Sequence, residues 1–167
     1  CDTFIIHARK AWLKGLSPKE NRDVPPLNYD RVIELKKSMP HLNVSINGGI
    51  KTLEQTKELL HLLDGVMIGR AAYENPWMLK EADSLIYNTQ DPIWKNRKEL
   101  LTAYLPYVEQ ELSQGCPLTI ITRHLSSLFN GIPGSRKYRQ MLSEQAPKAK
   151  DGVELLQKAM AFVEEIG

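Results

Sequence analysis

Two short apolar runs, each ending on glycine, limit what this chain can fold into more than any other feature. Ser45-Ile46-Asn47-Gly48-Gly49-Ile50 and Val66-Met67-Ile68-Gly69-Arg70-Ala71-Ala72 lie about twenty residues apart, with room for one helix between them. A short β-branched run bounded by turn residues reads as a buried strand, and two such strands joined through one helix form a parallel βα unit. Thr3-Phe4-Ile5-Ile6 supplies an earlier strand of the same kind, expected to be fully buried. Between the first two strands, Tyr29 to Met39 carries Val32, Ile33 and Leu35 at helical spacing, with Asn28 as N-cap. Thr52 begins a second helix reaching Leu63, with Leu53, Leu59, Leu60 and Leu63 for its inner face. Thr52 and Gln55 stand at capping-box spacing.

From about Pro76 the pattern changes. No convincing strand follows, and helical periodicity recurs near 76–87, 92–113, 118–129, 136–145 and 151–166, punctuated by Gly115-Cys116-Pro117, Gly131-Ile132-Pro133-Gly134 and Ala146-Pro147. Three strands are too few for a self-sufficient parallel sheet covered on both faces, and a (β/α)8 barrel has eight strands and about 250 residues. The expected architecture is therefore α/β: the C-terminal part of a (β/α)8 barrel, about three βα units over residues 1–78, followed by an all-α helical bundle over 79–167. A small open α/β sheet is the alternative.

The net charge of +2 on 167 residues does not mark a nucleic-acid binder, so local clusters must carry any such claim. Cys1 and Cys116 stand far apart, without neighbours at metal-ligand spacing, which argues against a metal site and a disulfide scaffold. No apolar run approaches the roughly 20 residues of a membrane span. The expectation is a cytoplasmic protein without membrane or metal partners, and the abrupt start at Cys1 suggests a piece of a longer one.

Loops after the last two strands of such a barrel commonly build a phosphate site, because glycine lets main-chain N–H groups approach an anion. Gly48, Gly49 and Gly69 suit this, and Arg70 adds a charge-assisted contact; tight strand-to-helix turns alone would also explain the glycines. His7 and Arg9 follow the first strand at the same end, His7 as a donor to a flavin or phosphate oxygen, as an acid or base near neutrality, or as a structural histidine bonded to a main-chain carbonyl. The long loop Arg9–Arg22 carries Arg9, Lys10, Lys14, Lys19 and Arg22 against Glu20. It suits a polyanion, or equally a solvated surface anchored to the core by Trp12. In the helical half, Pro133 to Lys150 concentrates Arg136, Lys137, Arg139, Lys148 and Lys150 against Glu144. Arg136 and Arg139 share a helix face with Tyr138 between them, where an aromatic can stack on an unpaired base. Such charge runs are more often solvated faces.

His7-Ala8-Arg9-Lys10-Ala11, Leu16-Ser17-Pro18-Lys19-Glu20-Asn21-Arg22 with Pro25-Pro26-Leu27, Ile46-Asn47-Gly48-Gly49-Ile50, and Asp64-Gly65-Val66-Met67-Ile68-Gly69-Arg70 with Tyr73-Glu74-Asn75-Pro76 resemble, in order and spacing, the A subfamily of bacterial tRNA-dihydrouridine synthases. Leu128-Phe129-Asn130-Gly131 and Gly134-Ser135-Arg136-Lys137-Tyr138-Arg139 extend the likeness into the tail. The resemblance implies a barrel holding FMN and a helical domain that helps bind tRNA. It implies FMN contacts from His7, Asn47, Gly48, Gly49, Gly69 and Arg70, a contact to the target uracil from Arg22, and contacts to tRNA from Lys19, Arg136 and Arg139.

The implied reaction reduces FMN with NADPH and then uridines 20 and 20a of the tRNA D-loop to 5,6-dihydrouridine, a cysteine acting as general acid. That requires the base to leave the RNA fold and lie over the flavin. The family's cysteine belongs to an earlier barrel loop. Cys1 and Cys116 match neither its position nor its surroundings, so no catalytic residue is expected within these 167 residues and the cysteine is expected upstream of Cys1. The isolated piece is then expected to be inactive on uridine and weak in FMN binding. Alternatives are another FMN- or sugar-phosphate-binding barrel enzyme, or a stand-alone RNA-binding module.

Overall fold

The computed structural model describes residues 1–164 and divides into two compact units. One comprises Cys1–Ala72 with Met78–Asp91; the other comprises Tyr73–Trp77 and the residues from Pro92 on.

The first unit is built on three strands: β1 (Thr3–His7), β2 (Asn43–Asn47) and β3 (Gly65–Met67). They are parallel in the order β1-β2-β3, as the βα spacing requires. Helix α1 (Tyr29–Ser38) joins β1 to β2, and α2 (Leu53–Leu60) joins β2 to β3. Both caps form as read: Asn28 accepts from the Arg31 N–H and Thr52 from the Gln55 N–H. Gln55 reaches back to the N–H of Lys51. The helix ends at Leu60, and turns complete the way to a buried Leu63.

Val44 and Ile46 of β2 are completely buried and form, with Val32, Leu59 and Leu63, the core of this unit. The expected full burial of the first strand does not hold. Ile5 is 59% exposed, because β1 has one neighbouring strand and one of its faces is uncovered. Opposite the strand C-termini, Asp64 accepts from Val44 N–H (2.8 Å) and pairs with Lys36 (2.7 Å), whose ammonium also donates to the carbonyls of Pro40 and Leu42. This node ties strand entries to α1 and reads as structural. The side-chain bond from Lys36 leads the influences that hold the Asp64 carboxyl below the usual range.

After β3 come a short helix α3 (Arg70–Glu74), a 3-10 segment Pro76–Glu81 and α4 (Ala82–Tyr87). The second unit holds α5 (Arg97–Ser113), α6 (Leu118–Leu125), α7 (Ser135–Gln145) and α8 (Gly152–Met160). The helix read from residue 92 starts only at Arg97, where Asn96 accepts from Glu99 N–H and Glu99 takes the N–H of Lys95. Leu101, Val108, Phe129, Tyr138 and Leu156 fill its core. The last helix, expected over 151–166, ends at Met160; its positions 165–166, and 165–167 of the second domain expected over 79–167, lie outside the described residues.

Among the described residues no helix is long and apolar enough to cross a membrane, and no cluster of three His, Cys, Asp or Glu could hold a metal.

Candidate functional site

Parallel pairing sets the geometry. His7, Asn47 and Met67 end their strands in register, so the segments after them emerge together at one edge of the sheet. The Ala8 N–H donates to the Asn47 carbonyl (2.7 Å), carrying the β1–β2 pairing one residue past the strands. Gly48 follows with φ +117°, and a side chain there would press on His7, a Cβ lying 3.2 Å from its Cε1. Tyr29 donates its hydroxyl hydrogen to the Gly48 carbonyl (2.8 Å) and accepts from the Gln55 amide (3.3 Å). At Gly49, φ is +70° and a Cβ would lie 2.5 Å from Leu27 Cδ1. Only glycine permits this main chain so close to its neighbours.

Gly69 differs. A Cβ there would meet nothing within 4 Å, so its main chain borders open space at the start of α3. Arg70 follows. One guanidinium nitrogen pairs with Asp23 (2.7 Å) and another donates to the Arg22 carbonyl (3.4 Å), so the long basic loop returns to the edge where β3 ends. The bond from Arg70 leads the influences holding the Asp23 carboxyl below the usual range. His7 also titrates low: partial burial is the larger cause, followed by the positive charges of Arg9, Arg70 and Arg22.

Arg9 donates through Nε to the Pro25 carbonyl (2.7 Å), while its Nη1 is buried without a hydrogen-bond partner. A buried donor with nothing to donate to is costly, and here it belongs to a cluster of cations. These features fit an anionic group such as the phosphate of FMN. The space at Gly69 gives main-chain access, Arg70 offers a fork, and neutral His7 can donate or accept.

The residues singled out in the sequence fall in two places. His7, Arg22, Asn47, Gly48, Gly49, Gly69 and Arg70 belong to the strand-end region of the first unit, with Lys19 exposed just before the turn Glu20–Arg22. Arg136 and Arg139 are exposed on α7 of the second unit, and Arg139 donates to Asn130 (2.7 Å). Tyr138 does not lie with them as a stacking surface. It is fully buried, edge-on to Phe129, with its hydroxyl on the Leu125 carbonyl, and burial pushes its phenol far above the usual range. Trp12 is not a core anchor either. It is 45% exposed and absent from the buried core, and Asn21 holds its main chain.

Sequence reasoning gave no role to Asp23, Tyr29 or Asn21. The Ser17-x-x-Glu20 spacing was the available signal for the ordered turn, since Ser17 and Glu20 cap each other reciprocally. Nothing local marked Asp23.

His7 makes the electrostatics testable. Because its folded-state proton affinity is lowered, the unfolded chain binds the proton first. The stability this group contributes is therefore complete above its ordinary value and declines as pH falls from there through the folded midpoint. In phosphate-free buffer, proton NMR of the His7 imidazole, assigned by its loss in His7→Asn, is expected to show a midpoint below 6.5. Inorganic phosphate is expected to raise it, because an adjacent anion favours the imidazolium. A midpoint at or above 6.5, or one that phosphate does not move, contradicts the cationic anion site.

Comparisons with known proteins agree in one direction. A family model described as dihydrouridine synthase matches residues 1–165. The chain is 50% identical over 163 residues to a protein of Vibrio vulnificus (strain CMCP6) described as tRNA-dihydrouridine(20/20a) synthase, covering 98% of this chain and 50% of that one. Proteins of the same description from Yersinia pestis and Escherichia coli (strain K12) are each 53% identical over 163 residues, covering 98% of this chain and 47% of theirs. The chain thus spans about half the length of the curated relatives it matches.

Proposed function

We propose, from the premise that this chain belongs to the dihydrouridine synthase family, that its complete gene product reduces uridines of tRNA to 5,6-dihydrouridine. The positions are those in the relatives' description, 20 and 20a. One observation carries the reading: the ends of three parallel strands bring His7, Asn47, Gly48, Gly69 and Arg70 to one edge, and the loop bearing Arg22 is bonded to Arg70 there.

In this reading Gly69 and Arg70 hold the phosphate of FMN. Asn47, Gly48 and Gly49 line its approach, and His7 gives a neutral hydrogen bond. Arg22 faces the substrate uracil, with Lys19 beside it on the RNA backbone. Bound there, reduced FMN would supply a hydride to uracil C6 and a general acid the proton to C5, with NADPH as the source of the electrons. The work of this chain is to bind, orient and charge-balance. Its cationic cluster draws in two anionic ligands, flavin nucleotide and tRNA, and Asp23 pairs with Arg70 there. On α7, Arg136 and Arg139 offer phosphate contacts in the second unit.

We also read the sheet as part of a (β/α)8 barrel. Its outer strands each have one neighbour, and Ile5 and Met67 are uncovered, as strands are when further barrel strands belong beside them. A cytoplasmic location follows from the tRNA substrate.

The test is made on the complete gene product. Purified protein is expected to carry flavin absorbance and, with NADPH, to form dihydrouridine at 20 and 20a in tRNA from a strain unable to make it. A flavin-loaded preparation that leaves those uridines intact ends the proposal.

A further inference from the structure

We infer that Trp12 is a stacking platform for an unpaired nucleobase of the RNA, held in position by Asn21. The inference rests on the reading of tRNA as substrate and adds a contact to it.

The loop from Lys10 to Pro26 is built in stages. Its neck is closed by the Asn28 N–H on the Ala8 carbonyl (2.7 Å), by an Arg9–Leu27 antiparallel bridge and by the Arg9 guanidinium on Pro25. Within it, one amide side chain grips Trp12 from both sides: the Trp12 N–H donates to Asn21 Oδ1 (2.7 Å) and Asn21 Nδ2 donates to the Trp12 carbonyl (3.0 Å). The same Nδ2 also lies within reach of the Leu16 and Ser17 carbonyls, at 3.4 and 3.3 Å. The Ser17–Glu20 reciprocal cap then shapes the turn that ends in Arg22.

All this fixes a main chain on which Trp12 and Leu13 remain exposed, Trp12 at 45% and Leu13 at 95%. Ordering a loop costs conformational entropy, which a buried indole would offset and an exposed one does not. A loop built to anchor itself would bury the ring. This one leaves Trp12 exposed, on a main chain bonded to Asn21, the immediate neighbour of Arg22.

The surroundings identify the occupant. Lys10, Lys14, Lys19 and Arg22 are exposed around the loop, while its two acids are already engaged, Glu20 by Ser17 and Asp23 by Arg70. An aromatic face among exposed cations is what single-stranded nucleic acid uses: bases stack on the ring and phosphates meet the charges. A base drawn out toward Arg22 leaves neighbouring bases unstacked, and Trp12 is placed to receive one.

The experiment compares Trp12→Ala, Trp12→Phe and Asn21→Ala with wild type in the flavin-loaded complete gene product, measuring tRNA binding, KM and kcat for tRNA, flavin content and thermal midpoint. Trp12→Ala is expected to raise the tRNA Kd and KM on the order of tenfold, with flavin content, midpoint and kcat at saturating tRNA unchanged. Trp12→Phe should stay near wild type, because it keeps an aromatic face. Asn21→Ala should raise KM as well, through a loosened platform. Wild-type affinity in Trp12→Ala, or equal losses in the alanine and phenylalanine variants, overturns the inference while leaving the proposed reaction intact. Failure of wild type itself to bind or reduce tRNA overturns both.

Discussion

Replacing Arg70 with alanine is expected to strip the complete gene product of its flavin, raising the FMN Kd on the order of a hundredfold. Hydrogen bonds to charged groups contribute about 1.5–3 kcal/mol each, and a guanidinium fork on a phosphate can make two. The loss also exposes the phosphate to Asp23, whose carboxylate lies 2.7 Å from Arg70 and would then stand unneutralised beside the anion. The ion pair itself cannot account for such an effect. Its side chains are 60% and 45% exposed, and pairs that wet are worth little. A large change in flavin affinity with a small change in melting temperature therefore points to the ligand.

Two companion variants sharpen the result. Asp23→Asn frees Arg70 and removes a negative charge, so FMN should bind as tightly as in wild type or tighter. Arg70→Lys keeps the charge without the fork and should fall between wild type and alanine. Flavin fluorescence titration of apoprotein reads all three. An Arg70→Ala protein that keeps flavin through purification as wild type does removes Arg70 from the phosphate site.

The parts of this molecule that were legible in the sequence are those set by neighbours a few residues apart. Asn28 and Thr52 were readable as caps because a cap acts on the N–H three residues ahead. The parallel order was readable because one helix between two glycine-ended strands leaves no other pairing. Burial was harder. Ile5 has the composition of a covered strand, yet whether a strand is covered depends on its neighbours in space, and β1 has one.

Tyr138 sits among Arg136, Lys137 and Arg139 and looks like their partner. The pattern Tyr138, Leu142, Ala146 at intervals of four turns it inward, a signal outweighed by the surrounding charge. The Arg70–Asp23 pair joins residues 47 positions apart and leaves no local trace at either end. For the long loop the sequence leaves two readings open, a grip on a polyanion or a surface anchored by Trp12, and Trp12 is 45% exposed. The residue that holds the loop is Asn21, through main-chain bonds that no hydrophobic pattern reveals.

In the second unit, Gly134→Ala is expected to be the most damaging substitution of a single hydrogen by a methyl group. Gly134 precedes α7 with φ +84°, and a Cβ there would overlap the carbonyl oxygen of Phe162. A left-handed backbone costs a non-glycine residue about 1–2 kcal/mol. Displacing the Phe162 main chain adds about 1–3 kcal/mol of overpacking, and it threatens the bond from the Glu164 N–H to the Pro133 carbonyl (3.0 Å). Together these reach roughly 2–5 kcal/mol, a large share of the ~5–15 kcal/mol that holds a domain folded. Gly131→Ala is the control. Its φ is nearly the same, +82°, but a Cβ there meets nothing within 4 Å, so only the backbone cost applies. Urea unfolding followed by circular dichroism should place Gly134→Ala about 1–3 kcal/mol below Gly131→Ala, the excess coming from the collision with Phe162. Equal midpoints for the two variants would show that the segment at Phe162 yields freely. Because α7 begins at Ser135 and carries Arg136 and Arg139, a displaced start should also weaken tRNA binding in Gly134→Ala at temperatures where it is still folded, whereas Gly131→Ala should bind as wild type does.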